Sequence, residues 1–247
     1  MKKTNKIAKK KVRNNIMKLS AIILGAGAVL SLPKVLRTIL KRPKKEPKLP
    51  GKKTIACIGD SITFGSGVVW TRKRDAWPYV LGRLLGQEYQ VVNYGISGAT
   101  MQKVSDKPYQ PDFFRAVEDM ETEAIILMLG TNDTKPYNWN FKDFEESYAE
   151  SIERLKACTK KLFVMAPPWA FALPGQTDVV CDIQKQVLTE DIYPTVLRLA
   201  REHDVRVIDL YRLTEGHTEY FGDGLHPNKQ GNRVIAEYIY GQIREEI

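Results

Sequence analysis

Cysteine and histidine are both scarce, with three of each in 247 residues. Cys57, Cys158 and Cys181 are odd in number and far apart, and no Cys-x-x-Cys pair or Cys/His cluster occurs. That excludes a disulfide-stapled scaffold and argues against a zinc site. Cys57 sits in the apolar run Thr54-Ile55-Ala56-Cys57-Ile58 and reads as a small buried hydrophobe. The other two read the same way, and a single Cys158–Cys181 bridge stays open from sequence. No internal repeat is present. Acid is nearly missing from one part of the chain: residues 1–53 hold 17 Lys/Arg and a single acid, Glu46. The remaining 194 residues hold 21 Lys/Arg and 28 Asp/Glu, a net of −7. The overall charge of +9 therefore belongs to a tail, and the body is mildly acidic. A nucleic-acid-binding body is argued against, because phosphate neutralisation needs Lys/Arg on the folded surface. Hydrophobic content of 43% and charged content of 27% are ordinary for a globular chain. The body is long enough for one sizeable core and short for two.

The tail has its own pattern. Residues 1–18 are basic, and Leu19–Leu32 is an uncharged, mostly apolar stretch that ends at Pro33. A basic region before a short apolar core is the pattern of a secretory signal. The stretch is short for a bilayer span, which wants about 20 apolar residues. Ala26-Gly27-Ala28 offers a small-residue cleavage point. An uncleaved anchor over Met17–Leu40 is the other reading, with the protein exported or membrane-anchored and its body extracytoplasmic in either case. Basic residues flank both sides, so orientation is weakly specified. We expect residues 1–40 to be a signal or membrane-anchor segment and residues 41–53, with three prolines, to be a linker. Residues 54–247 are expected to form one catalytic domain.

In that body, continuous apolar runs alternate with helical patterns. Strands are expected over Thr54–Ile58, Gln90–Asn93, Ala124–Leu129, Leu162–Ala166 and Val205–Leu210. Helices are expected over Ala76–Leu85, Phe141–Cys158, Ile183–His203 (interrupted at Pro194) and Asn228–Ile247. Phe144, Tyr148, Ile152 and Leu155 share one helix face; Val234, Ile235, Tyr238 and Ile239 share another. Such alternation implies a parallel sheet covered on both faces, an α/β/α sandwich with five strands. In such sheets ligands bind at the carboxyl ends of strands.

Those ends carry the polar residues. They are Gly59-Asp60-Ser61, Asn93-Tyr94-Gly95-Ile96-Ser97-Gly98, Gly130-Thr131-Asn132-Asp133 and Asp223-Gly224-Leu225-His226-Pro227. Ser61 is a candidate nucleophile and needs a base; His226 is the plausible one of the three histidines. Asp223, three residues away, can orient its other ring nitrogen. The N–H groups of Ser61 and Gly98 and the amide of Asn132 can converge on an oxyanion. Nothing in this chemistry needs a metal or cofactor. Singly, each loop reads equally well as a cap or a turn; jointly, that reading needs coincidence at four loops. Asp60 and Asp133 read as structural acids that hold loop N–H groups. The run Gly59–Gly67 lacks the Gly-Lys-Ser/Thr ending of a phosphate-binding loop.

These blocks, in this order over about residues 54–240, resemble the SGNH subgroup of the GDSL esterase/lipase family. The resemblance implies a flavodoxin-like three-layer fold and a serine esterase mechanism. It implies Ser61 as nucleophile, His226 as base, Asp223 as its partner, and Gly98 and Asn132 as oxyanion donors beside Ser61. The stretches Asn132–Trp139, Ile192-Tyr193-Pro194 and Val207–Leu210 look similar to carbohydrate O-acetylesterases of the family. Deacetylation of an O-acetylated carbohydrate or glycan ranks first among activities. Lysophospholipase or short-chain thioesterase activity ranks second. An acyltransferase on envelope polymers and a non-catalytic glycan-binding module are readings from other classes. Trp139 and Trp169 are candidate sugar-stacking residues, whereas Trp77 is expected to pack. Oligomeric state is not legible.

Overall fold

The computed structural model describes residues 47–109, 117 and 120–247. The expected signal or anchor over residues 1–40, and the linker as far as residue 46, lie outside the described residues. Among the described residues no helix is long and apolar enough to cross a membrane.

Five strands form one all-parallel sheet: β1 (Lys53–Gly59), β2 (Tyr89–Gly95), β3 (Thr122–Met128), β4 (Thr159–Ala166) and β5 (Arg206–Asp209). Their spatial order is β2-β1-β3-β4-β5. The runs are apolar at successive positions because both faces are covered. Side chains alternate between two cores along each strand. Ala56, Ile58, Ile125, Leu127 and Val164 face one core, and Ile55, Cys57, Ile126, Met128 and Met165 face the other. The first core is closed by helices α3 (Phe141–Lys156) and α4 (Tyr193–Glu202). The second is closed by α2 (Trp77–Leu85) and α5 (Lys229–Ile243), while α1 (Ser61–Phe64) is a single turn after β1. The result is the expected α/β/α sandwich.

Helix α3 shows how the pattern becomes packing. Phe144, Tyr148, Ile152 and Leu155 fall at spacings of three and four, and all are fully buried. Each contributes roughly 1.5–3 kcal/mol of transfer free energy. Asn140 caps the helix by accepting the Asp143 N–H at 3.0 Å.

Several boundaries differ from expectation. The pattern over Ile183–His203 is not one helix. Lys185–Val187 makes an α turn, Leu188–Ile192 a π turn, and α4 follows. Pro194 sits in the first turn of α4, where its missing N–H costs no hydrogen bond. In α5, Ile235 and Ile239 are buried with Ile243, whereas Val234 and Tyr238 are only half-buried. That helix ends at Ile243 rather than Ile247. Strand β5 stops at Asp209, because its side chain caps a following turn by accepting the Arg212 N–H. All three cysteines are free thiols, so no Cys158–Cys181 bridge exists. Lys53 already pairs with Tyr89, and Gln90 grips the backbone of Pro47 and Leu49, so residues 47–53 run along the domain.

The register fixes where the loops emerge. Gly59 lies beside Gly95 on one side and Met128 on the other, and Ala166 lies beside Asp209. The loops after β1, β2 and β3, which carry Ser61, Gly98 and Asn132, therefore leave the same edge of the sheet. Gly95 has no room for a side chain: a Cβ there would stand 2.1 Å from the Phe64 nitrogen. The obstacle is backbone and cannot swing aside. Gly95→Ala is expected to cost on the order of 1–3 kcal/mol, read as a lowered urea midpoint at unchanged slope.

Candidate active site

Ser61 begins the turn after β1. Asp60 caps that turn, its Oδ1 accepting the Ile62 N–H at 2.8 Å, and Gly65 closes it by donating to the Ser61 carbonyl. Asn93 of β2 buttresses it, donating to the Thr63 carbonyl at 2.8 Å and accepting the Gly95 N–H at 2.9 Å. The serine hydroxyl is thus presented by a rigid, buried turn.

The Asp223–Pro227 loop comes to meet it. His226 Nε2 lies 2.9 Å from Ser61 Oγ, although 165 positions separate the two residues. His226 Nδ1 lies 2.7 Å from Asp223 Oδ2. The carboxylate only accepts, so Nδ1 carries the proton and Nε2 is left to accept from the serine. Asp223 Oδ1 also accepts the backbone N–H groups of Leu225 (3.0 Å) and His226 (2.7 Å). Gly224 makes this turn available. Its φ is +80°, and a Cβ there would stand 2.1 Å from the Phe171 carbonyl oxygen. The Phe171 N–H donates to the Gly224 carbonyl at 2.9 Å.

Asn132 lies in the turn after β3 and is buried. Its Nδ2 donates to the Ala99 carbonyl at 3.0 Å. That bond uses one of two amide hydrogens, fixes the amide plane, and ties Asn132 to the residue next to Gly98. Gly98 has φ +82° and stays half-exposed. Asp133 does what its structural reading requires, accepting the Met101 and Gln102 N–H groups at 2.9 and 2.8 Å. Asp60 likewise holds the serine turn. Sequence reasoning missed Asn138, whose Nδ2 donates to the Asn132 carbonyl (3.1 Å) and to Asp106 Oδ1 (2.8 Å). No motif marks it.

The two candidate tryptophans diverge. Trp139 packs against Phe144, with ring centroids 5.8 Å apart, at the border of a core. Trp169 stacks on Phe171 at 4.6 Å, and Phe171 is the residue bonded to Gly224. Trp169 therefore stands beside the Asp223–His226 loop. Trp77 is fully buried.

Electrostatics distinguish the acids. Burial pushes Asp60 up to about 6 and Asp133 up to about 7, against which their N–H partners pull down. For His226 burial acts to lower the pKa, but the Asp223 carboxylate, helped by Asp60, outweighs it and the net shift is upward. Asp223 is shifted down: burial opposes this, and the His226 charge prevails. Among the described residues, no group of three or more His, Cys, Asp or Glu is placed to hold a metal ion.

Comparison with known proteins agrees with this architecture. The pattern that defines the GDSL-like lipase/acylhydrolase family matches residues 57–234. The chain is 30% identical over 211 residues to an acetylxylan esterase of Xylanibacter ruminicola, covering 77% of this chain and 43% of that protein. It thus spans less than half the length of that relative. Among solved structures, the aryl esterase of M. smegmatis superposes with a TM-score of 0.65 at 23% identity, over 79% of this chain and all of that one. A carbohydrate acetylesterase from Sinorhizobium meliloti superposes at 0.60 with 18% identity, over 79% and 100% of the two chains. These two likenesses concern the fold.

A base with a raised pKa titrates later. The rising limb of kcat/KM against pH is expected to lie above pH 6.5, because His226 must lose its proton to act. Asp223→Asn should move that limb down and reduce kcat by about 10³–10⁴. A limb below pH 6.5 in the wild type would contradict the Asp223–His226 pairing. With a family pattern over most of the chain and its blocks gathered at one sheet edge, this chain belongs to the GDSL-like lipase/acylhydrolase family of ester hydrolases.

Proposed function

We propose that the protein is a serine esterase that removes O-acetyl groups from a carbohydrate through an acyl-enzyme. The observation that carries this reading is the unbroken chain Ser61 Oγ–His226–Asp223, at 2.9 and 2.7 Å. In the first half-reaction Ser61 Oγ attacks the ester carbonyl and its proton passes to His226 Nε2. The N–H groups of Ser61 and Gly98 and the second amide hydrogen of Asn132 stabilise the oxyanion. The intermediate collapses, and His226 returns its proton to the departing sugar hydroxyl. In the second half-reaction water gives a proton to His226 and attacks the acetyl group; the intermediate collapses, His226 returns that proton to Ser61 Oγ, and the acetyl group departs as acetic acid.

Two considerations favour a glycan ester over a lysophospholipid or a thioester. The Xylanibacter relative is an acetylxylan esterase. Trp169 offers a partly exposed ring beside the loop that carries the base, and such rings stack on sugar faces. We further propose that residues 1–40 act as an export signal or membrane anchor.

The test is acetate release from an acetylated oligosaccharide by the full chain, with Ser61→Ala as control. Release that vanishes in the variant is expected. Cleavage of p-nitrophenyl acetate without release from any saccharide would remove the glycan assignment and leave the esterase. Asn132→Ala is expected to lower kcat by about 10²–10³; a loss below about tenfold would take Asn132 out of the oxyanion site.

A further inference from the structure

Lys135 is not used by the mechanism, and its surroundings are unusual for a lysine. It follows the Asn132–Thr134 turn and is only 8% exposed. Buried lysines are normally paired. Yet among the described residues no carboxylate lies within ion-pair distance of its ammonium, and no acceptor is hydrogen-bonded to it. Its Nζ stands 6.0 Å from the ring centre of Tyr137, a residue itself 44% exposed. Its backbone is pinned: the carbonyl accepts from Asn138 (2.8 Å) and Trp139 (2.9 Å), and Gln184 holds the preceding Thr134. The ammonium lies within electrostatic reach of His226, Asp60 and Cys181. It is therefore a cation in the wall of the site, fixed at its root and unpaired at its tip.

Two further lysines stand near this mouth. The Lys107 ammonium donates to the Ser97 carbonyl and lies 4.0 Å from where a Cβ on Gly98 would be. Lys185 lies over Trp169, 5.5 Å from the ring centre. Three cations thus stand at one edge of a body with a net charge of −7, interleaved with acids. The nearby acids are occupied or peripheral. Asp223 binds His226 and Asp60 caps the serine turn. Asp106 accepts from Asn138. Asp182 is exposed on a turn where Cys181 and Asp182 both have positive φ, 65° and 61°.

We propose that Lys135 is a specificity-determining residue that binds an anionic group, a carboxylate or a phosphate, carried by the substrate near its ester. This deepens the esterase reading above and rests on it. A neutral acetylated sugar offers the ammonium no counter-charge. An anionic one supplies the missing partner, and a charge-assisted hydrogen bond in such a setting is stronger than one between neutral groups. Lys107 and Lys185 add attraction at the rim that salt can screen.

The test compares acetate esters that share a leaving-group skeleton and contain no sugar. They are 4-acetoxybenzoate, 4-acetoxyphenyl phosphate and neutral 4-acetoxybenzamide, with rates corrected for their reaction with hydroxide. The wild type should show higher kcat/KM on at least one anionic ester, expressed in KM and weakened by added salt. The anionic-to-neutral ratio should fall at least tenfold in Lys135→Met and Lys135→Gln, and stay within about threefold in Lys135→Arg. The larger of the two anionic ratios says whether carboxylate or phosphate is the partner. The proposal is overturned if the wild type has no anionic preference. It is equally overturned if the Met and Gln variants lower all three esters by one factor, the signature of a lysine that only tunes His226 or supports the turn. Because no saccharide is involved, failure of the glycan assignment would leave this comparison intact.

Discussion

Three N–H groups converge on one carboxylate, and the site depends on that convergence. Asp223 accepts the backbone N–H groups of Leu225 and His226 with one oxygen and the imidazole N–H of His226 with the other. The same side chain thus folds the loop and sets the tautomer of the imidazole that faces Ser61. A carboxylate that shapes its own turn cannot drift from the ring it orients, because both bonds are anchored within three residues. The Gly224–Phe171 contact then holds the loop against the one that follows β4. Burial sharpens the arrangement: in a dry setting the aspartate–histidine attraction outweighs the cost of desolvating the ring.

The sheet supplies the second constraint. Parallel pairing with Gly59 beside Gly95 and Met128 makes the first three loops leave from neighbouring points. Once the order β2-β1-β3-β4-β5 is set, residues far apart in the chain have little choice but to meet. The buried acids serve this geometry. Asp60 and Asp133 satisfy N–H groups that loops cannot otherwise pair, and burial shifts both upward as a consequence. Among the described residues Lys135 sits near these charges with no ion-pair or hydrogen-bond partner at its ammonium, and the anion-binding role proposed for it rests on that.

Much of this was legible in the sequence, for physical reasons. Strands β1, β3 and β4 announce themselves because burial on both faces demands continuous apolar runs. Ser61, Gly98 and Asn132 follow strand ends, whereas Asp223 and His226 follow two short helical turns after β5 but are close enough in sequence to show as one motif. The segment from Ile183 to His203 was harder. Its periodicity is helical throughout, yet the chain passes through a π turn before Pro194 begins a new first turn. Periodicity reports which face is buried, not how many residues make each turn. The supports of the site were invisible for another reason. Asn138, Gln184 and the Phe171–Gly224 contact act across loops that only the fold brings together. Trp139 and Trp169 looked alike as sequence and were separated by tertiary packing alone. The unpaired state of Lys135 depends on what does not reach it, which no local pattern encodes.

The central claim is that Ser61, and no other residue, is made nucleophilic by His226 and Asp223. Its most direct test is covalent: treat the full chain with a fluorophosphonate, measure the intact mass, and map the modified peptide. The account predicts one adduct per chain, located on Ser61, and its loss in both Ser61→Ala and His226→Ala. An adduct on another residue, or labelling of Ser61 that persists at full rate without His226, would contradict it.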